Sequence, residues 1–246
     1  MRTNIIILLS FFSLAAFAQF NVKEIDSTQI PGKIKLRKNK VVSCINWTDK
    51  SGDNYVIETE TPLLVTKTAV EANKNPQTIY TNGKFVDSKK VNGKMVRGKY
   101  VGGKVDTLKS VEADYRVKGL FTYHYVVTDT AKTIFKNIDQ IADCPCKNIN
   151  AAYLGLPVVT DLDKNGVGEV WFVYQTGCRQ DLTVPLNIKI VMYTGKDKHV
   201  INGTREIHAG DKVIGGEIKP DKSFDSLPKE FKDYAVTLWN KYKTEK

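Results

Sequence analysis

The sequence predicts an α+β protein that consists mostly of antiparallel β-sheet and ends in an amphipathic helix. Short apolar runs alternate with turns rich in Asp, Asn and Gly, a ten-residue repeat carries Asn-Gly or Gly-Gly in each copy, and only the last stretch has clear helical periodicity. The 246 residues are 41% hydrophobic and 26% charged. This composition excludes a disordered chain, a collagen and a polytopic membrane protein.

Residues 1–18 predict an export signal. Their apolar run of 14 residues ends in Ala-Phe-Ala at 16–18, a pattern suited to signal peptidase, so we expect cleavage before Gln19. A helix needs about 20 residues to span a bilayer. We therefore favour a periplasmic or extracellular protein without a transmembrane anchor over the alternative of a retained anchor. The remaining chain divides into β-rich parts at 19–110 and 111–246, which could also form one continuous domain.

The first β-rich part begins with predicted strands at residues 33–36, 41–47 and 55–59, divided by turn sequences. A repeat with a period of ten then covers residues 81–86, 91–96 and 101–106. Each copy has Asn-Gly or Gly-Gly where a type I′ turn needs positive φ. The repeat therefore predicts a small antiparallel meander with a turn in every copy.

The second part continues with a predicted strand at residues 120–128 and a helical interpretation of residues 133–141. Ser226 is the predicted N-cap of the closing helix. The apolar stripe of that helix predicts packing against a sheet, with a membrane-surface helix as the alternative. The stripe consists of Leu227, Phe231, Tyr234, Ala235, Leu238, Trp239 and Tyr242.

Four cysteines in an exported chain favour disulfides. A bridge between Cys144 and Cys146 would be strained by the short span across Pro145. We expect Cys144 to pair with Cys178 instead, a bridge that would stabilise the fold by roughly 3–4 kcal/mol on the loop-entropy model. The pairing of Cys44 and Cys146 stays open. A zinc site is the less favoured alternative, because the cysteine and histidine spacings do not suit it.

The motif D-x-D-x-N-G-x-x-E at residues 161–169 predicts a calcium loop of structural type. Calcium prefers six to eight oxygen ligands, and alternate loop positions can direct side chains inward. An EF-hand is excluded because its twelfth position would be Phe172. The motif resembles the calcium loops of integrin-type (FG-GAP) repeats, and a metal-free Asx-rich hairpin is the alternative. The expected ligands are Asp161, Asp163, Asn165, Glu169 and the carbonyl oxygen of Val167.

Positive charge concentrates on the ten-residue repeat. Between Lys74 and Lys109 nine basic residues face only two acidic ones, a net charge of +7. Outside the cytoplasm such a field favours anionic surface polysaccharide or lipopolysaccharide, and not nucleic acid, as the partner. The alternative is that the lysines protect strand edges from aggregation. The candidate contact residues are Lys84, Lys94, Arg97, Lys99 and Lys104.

No complete catalytic signature is present. A near match to a phosphate-binding loop at residues 93–100 lacks the hydroxyl residue and the following helix, and the histidines have no recognisable partners. Asp49, Asp53 and Glu58 are candidate carboxylates for a carbohydrate-active enzyme. A turn explains Asp49 and Asp53 better, because residues 49–54 have a sequence typical of hairpin loops. The three tryptophans are expected in the core, with sugar stacking as the alternative.

A set of motifs spread over most of the mature chain carries a family resemblance. These motifs are Trp47, Asp49-Lys50, Gly52-Asp53-Asn54, Tyr123-His124-Tyr125, Asp143-Cys144-Pro145, residues 161–171, Thr176, Cys178 and residues 228–231. Through them the chain resembles an exported bacterial family labelled surface polysaccharide biosynthesis proteins. The resemblance implies an envelope role connected with surface glycan, and it carries no catalytic residues. Residues 76–109 depart from the family pattern in the manner of an insertion. We therefore expect a non-catalytic envelope protein that binds or helps to assemble anionic polysaccharide, with an enzyme or a structural interaction module as alternatives.

Overall fold

The computed structural model describes residues 20–69, 79–81, 84–86, 90–91, 94–95, 99–101, 104–106 and 112–245, with side chains described over 20–66 and 114–245. The predicted signal at 1–18 and its cleavage point lie outside these ranges. In chain order the strands are β1 Lys23–Glu24, β2 Lys40–Asp49, β3 Gly52–Glu60, β4 Leu64–Ala69, β5 Ile79–Thr81, β6 Lys84–Val86, β7 Lys90–Val91, β8 Lys94–Met95, β9 Lys99–Val101, β10 Lys104–Asp106, β11 Glu112–Val127, β12 Ala131–Cys144, β13 Asn148–Tyr153, β14 Val158–Thr160, β15 Glu169–Arg179, β16 Asn187–Thr194, β17 Asp197–Thr204, β18 Ile207–Ala209, β19 Lys212–Ile214 and β20 Ile218–Pro220.

Two antiparallel sheets carry the fold, as the α+β prediction requires. The first has the order β1-β2-β3-β11-β12, with β4 beside β3 along the same edge of β11. The second has the order β13-β15-β16-β17-β20, with β14 beside β13 along β15. The first sheet takes strands from both sides of residue 110, so the two predicted parts share one sheet.

The sheets pack face to face around an apolar core. Inward residues of the first sheet contact inward residues of the second, and this cluster includes the stacked rings of Phe135 and Tyr193, whose centroids are 3.8 Å apart. Alternation of inward and outward residues along each strand leaves a second apolar face on each sheet. The buried core residues between the sheets are Ile45, Trp47, Val56, Leu120, Phe135, Ala151, Val159, Val170, Phe172, Tyr174, Val191 and Tyr193.

Helix α1, Lys229–Tyr242, covers the outer face of the second sheet. Its buried residues pack against Trp171 and Met192, which confirms the prediction of an amphipathic helix on a sheet. The predicted cap at Ser226 is wrong: Pro228 is the N-cap, and the Ser226 hydroxyl donates to the Ser223 carbonyl. Short 3₁₀ helices span Ser27–Gln29 and Lys222–Phe224. Among the described residues, no helix is both long and apolar enough to cross a membrane.

The outer face of the first sheet is covered by chain without regular structure. The predicted strand at 33–36 is wrong, because no strand is assigned there. Ile34 is instead held by a turn to the Pro31 carbonyl and packs with Ile57 and Phe121. The edge position beside β2 is taken by β1. Ile34 is therefore buried by packing on the face of the sheet, although it is not part of a strand.

The helical interpretation of residues 133–141 is also wrong, because strand β12 occupies them. Its hydrogen-bonded partner is β11, along nearly its whole length. Phe135 and Asn137 are buried while Lys136 and Ile138 are exposed, the alternation of a strand. Pairing with a long neighbouring strand outweighs the weak helical pattern.

The ten-residue repeat forms one nested ribbon and not the predicted meander. Strand β7 pairs with β8, β6 with β9, and β5 with β10, so the pairings surround residues 92–93. The predicted turn residues at 82–83, 92–93 and 102–103 lie outside the described residues. In this arrangement the first and third copies run opposite each other, since Phe85 pairs with Tyr100 and Tyr80 with Val105.

Candidate functional site

The acidic loop connects β14 to β15 at one end of the sandwich. Carboxylate oxygens of Asp161, Asp163 and Glu169 lie within 4.8 Å of one another. Four of the five predicted ligand positions, all except Asp161, line an open cavity of about 330 Å³ together with Thr194 and Gly195 of the neighbouring turn. The structure therefore brings all five predicted positions to one concave loop.

Hydrogen bonds within the loop set its shape. The Gly166 amide donates to both Asp161 carboxylate oxygens at 3.2 Å. Asn165 donates its backbone N–H and its side-chain amide to Asp163, at 3.1 and 2.7 Å. The Val167 amide donates to Asn165 Oδ1 at 2.7 Å. Side-chain oxygens of Asp161, Asp163 and Asn165 thus accept hydrogen bonds from within the same loop.

Glu169 is the buried carboxylate of the loop, with 2% of its surface exposed. The Trp171 indole donates to Thr160 Oγ1 at 2.8 Å, and the Thr160 hydroxyl in turn donates to Glu169 Oε2 at 2.7 Å. The Leu162 amide lies 3.0 Å from both Glu169 oxygens. Burial raises the pKa of Glu169 and the Asp163 charge adds to this, while these hydrogen bonds oppose the rise.

The β2–β3 turn anchors the loop from the other sheet. Asp49 Oδ2 accepts from the Gly168 amide at 3.0 Å and from the Trp47 indole at 2.9 Å. Burial opposes ionisation of Asp49, but hydrogen bonds from Ser51, Gly168 and Trp47 outweigh it and hold its pKa below the ordinary value. Asp49 is therefore a positioning residue for the acidic loop.

Lys50 adds a second anchor from the same turn. Its backbone amide donates to the Gly166 carbonyl at 3.2 Å, and its ammonium donates to the Asn165 carbonyl. Gly166 has φ +80°, and a Cβ there would lie 2.4 Å from Lys50 Cε. The positive φ favours glycine at this position, and a larger residue would also displace the Lys50 side chain from the loop.

The candidate catalytic carboxylates do not converge. Asp49 is held by the acidic loop, whereas Asp53 is exposed and accepts from the Thr48 hydroxyl at 2.7 Å. The two aspartates occupy successive cross-strand pairs of the hairpin and therefore lie on opposite faces. Glu58 is fully buried between the sheets. The arrangement offers no pair of opposed carboxyl groups around one cleft.

Glu58 is a feature that the sequence reasoning did not single out as buried. The Ser43 hydroxyl donates to Glu58 Oε2 at 2.6 Å, while Oε1 has no hydrogen-bond partner. Burial raises the pKa of Glu58 to about 8. Thr122 lies opposite Glu58 in the register, and its hydroxyl is 3.1 Å from that of Tyr153. A polar patch therefore interrupts the apolar core.

His124 is packed and hydrogen-bonded, as expected for a histidine within a strand. Its Nε2 lies 2.8 Å from Asn54 Oδ1, and its ring stacks on Trp47 with centroids 5.3 Å apart. Burial lowers the pKa of His124 to about 4. Trp47, Trp171 and Trp239 are all buried, in agreement with the core interpretation.

The disulfide joins Cys144 to Cys178, as the cysteine spacing predicted. Cys144 is the last residue of β12 in the first sheet and Cys178 lies near the end of β15 in the second, so the bridge links the two sheets. Cys44 and Cys146 are free. Cys146 nevertheless lies beside the bridge, with its sulfur within 4.8 Å of both bridged sulfurs.

The basic ribbon lies between two residues that are already neighbours in a sheet. Ala69 at the end of β4 pairs with Glu112 at the start of β11, so residues 70–111 leave and re-enter the first sheet at adjacent positions. Four of the predicted contact residues, Lys84, Lys94, Lys99 and Lys104, belong to the ribbon strands. Their side chains, and Arg97 altogether, lie outside the described residues.

Comparison of the chain with protein-family models, with curated proteins and with solved structures found no match.

Proposed function

We propose that this is an exported, non-catalytic protein of the cell envelope that binds anionic surface polysaccharide through the basic ribbon at residues 79–106. The observation that carries the proposal is the nested pairing of the repeat. Three separate hairpins would distribute the charge over a meander. One two-stranded ribbon instead places Lys84, Lys90, Lys94, Lys99 and Lys104 on paired strands of a single element.

The position of the ribbon in the fold supports a binding role. The pairing of Ala69 with Glu112 brings β4 directly beside β11, and the described strands between them take no part in the first sheet. In the strand pairing, the described ribbon strands join neither large sheet. Such an element is well placed to contact a partner, since among the described side chains the core between the sheets comes from β2, β3 and β11 to β16.

The charge of the ribbon defines the class of ligand. A concentrated positive field raises the local concentration of polyanions and accelerates their association. The envelope offers polymers with carboxylate, sulfate or phosphate groups. The predicted export signal and the resemblance to envelope proteins support this class over nucleic acid.

Polysaccharide binding can be tested with the full mature chain and a heparin-type polysaccharide as probe. Replacement of residues 70–111 by a two-residue Asn-Gly turn should abolish binding while the melting temperature stays close to that of the parent. Binding by the parent should weaken steeply between low and moderate salt, because exposed charges are screened. Isothermal titration at several salt concentrations measures both effects.

Two variants with the same loss of net charge distinguish the contribution of the ribbon to binding from that of the net charge of the protein. Five changes to Gln at Lys84, Lys94, Arg97, Lys99 and Lys104 should abolish binding. Five changes to Gln at exposed lysines of the sandwich should leave most of the polysaccharide binding intact. Equal losses in the two variants would contradict the proposal, since net charge alone would then decide binding. The control positions are Lys196, Lys212, Lys219, Lys222 and Lys232.

We further propose that the acidic loop binds calcium and stabilises this end of the sandwich. Three carboxylates within 4.8 Å of one another repel, and a divalent cation would offset both that repulsion and the burial of Glu169. Asp163, Asn165, Val167 and Glu169 line the same cavity. Hard oxygen donors of this kind suit calcium of the weak, structural type.

Calcium binding predicts a melting temperature that rises with millimolar calcium. Asp163→Ala should abolish the rise, whereas Asp211→Ala, at an exposed turn, should preserve it. Because the pKa of Glu169 is raised, the rise should also shrink as the pH falls towards that pKa. A calcium-independent melt of the parent protein would refute the ion site and leave the polysaccharide proposal untouched.

A further inference from the structure

Three sulfur atoms meet where β12 and β15 end. The Sγ atoms of Cys144, Cys146 and Cys178 all lie within 4.8 Å of one another. Cys144 and Cys178 are bridged, and Cys146 is free. A free thiol thus lies beside a disulfide at a separation that side-chain rotation between staggered rotamers can close.

Solvent access differs among the three cysteines. Cys144 is 1% exposed, Cys146 is half-buried and Cys178 is exposed. Cys146 also lines an open cavity of about 420 Å³, together with Lys147, Asn148 and Gln180. Solvent therefore reaches both Cys146 and Cys178, whereas Cys144 is buried. The fourth cysteine, Cys44, is buried at the outer face of the first sheet and takes no part in the cluster.

We propose that this cluster is a thiol–disulfide exchange site in which Cys146 attacks the bridge. The Cys146 thiolate attacks Sγ of Cys178, the bond between Cys178 and Cys144 breaks, and a bond between Cys146 and Cys178 forms. Cys144 leaves as a thiolate and takes up one proton, which replaces the proton that Cys146 released to solvent. One disulfide is exchanged for another, so no external oxidant or reductant is needed.

The direction of attack follows from the chain. Attack on Cys144 would close a bridge across Pro145, whose fixed φ and short span disfavour the geometry of a disulfide. Attack on Cys178 takes place at an exposed residue, and the new bridge would link the connection between β12 and β13 to β15 of the second sheet. The two isomers differ in which thiol is free. With the Cys144–Cys178 bridge the free thiol is the half-buried Cys146, and with the Cys146–Cys178 bridge the free thiol is the buried Cys144.

The exchange can be measured on the unmodified full chain. The native protein is incubated at about pH 8.5, where roughly half of an ordinary thiol is ionised, or at about pH 4, where exchange stops. Acid quenching, denaturation and alkylation then label every free thiol, and fragmentation mass spectrometry locates the label. We expect a fraction of the label on Cys144, with a Cys146–Cys178 bridge, after alkaline incubation only. Label on Cys146 and Cys44 alone at both pH values would overturn the proposal.

Two variants and a dilution series complete the test. Cys144→Ser should form the Cys146–Cys178 bridge, and Cys146→Ser should keep the Cys144–Cys178 bridge at every pH. The labelled fraction of Cys144 in the parent should not change with protein concentration, because the reaction is intramolecular. A fraction that rises with concentration would overturn the proposal even if the variant proteins fail to fold.

Discussion

Two buried glutamates in this molecule occupy opposite kinds of environment. Glu169, at the acidic loop, receives hydrogen bonds from Thr160 and from backbone amides of the loop. Glu58, between the sheets, receives one hydrogen bond from Ser43 and has an unpartnered Oε1. Burial raises the pKa of both. Several donors around Glu169 oppose the effect of burial on its pKa, whereas at Glu58 only the Ser43 hydroxyl does so.

The largest expected effect is the pH dependence that Glu58 imposes on stability. Burial raises the pKa of Glu58 to about 8 in the folded protein, from the 4.5 of an unperturbed glutamate. A raised pKa contributes stability that is fully present below about pH 4.5 and is lost as the pH rises through 8. Glu58→Gln should therefore match the parent at low pH and exceed its free energy of unfolding by on the order of 4 kcal/mol at alkaline pH. Urea unfolding across this pH range measures the difference.

The control for Glu58 is the same substitution at Glu60, further along β3. Glu60 is paired with Lys40 and Lys118. Burial opposes its ionisation, but the two lysines outweigh this and lower its pKa. Glu60→Gln should therefore give no stabilisation at alkaline pH. If both variants behave alike, the neutral state of Glu58 is refuted.

A smaller effect is expected where the β2–β3 turn holds the loop of Glu169. Asp49→Ala removes the acceptor of the Gly168 amide and of the buried Trp47 indole. The loss should be about 2 kcal/mol of unfolding free energy, because buried donors are left without partners. Asp53→Ala, an exposed position in the same hairpin, should change stability by less than about 0.5 kcal/mol. Equal effects in denaturant melts would show that Asp49 does not anchor the loop.

The smallest effect, and the one that sharpens the comparison, is Glu169→Gln. The substitution replaces one of two accepting oxygens by an amide donor that faces the Leu162 amide or the Thr160 hydroxyl. We expect a loss of about 1 kcal/mol at neutral pH without calcium, opposite in sign to the effect at Glu58. Chemical denaturation in the presence of a chelator measures it. If Glu169→Gln stabilises the protein, the substitution has the same sign of effect at both glutamates, and the expected difference between their environments is contradicted.

Local patterns predicted much of the fold. The strands at 41–47 and 55–59, the closing helix, the bridge from Cys144 to Cys178 and the packed state of His124 all follow from periodicity, spacing and residue type. The acidic loop could be located from the spacing of its side chains alone, since all of them lie within nine consecutive residues, 161–169. Its anchor at Asp49 could not be found in this way, because the Gly168 amide that it binds is 119 residues distant in sequence.

The sequence by itself determined the strands at 41–47 and 55–59, the closing helix, and where oxygen ligands and charge concentrate along the chain, because these properties depend on near neighbours. Tertiary structure decided which strands pair, so that the basic repeat became one nested ribbon and residues 133–141 became a strand beside β11. It also decided the protonation of Glu58 and the position of Cys146 beside the bridge. The pKa of a carboxyl group and the reach of a thiol depend on burial and on distances through space, and these distances exist only once the sheets have packed.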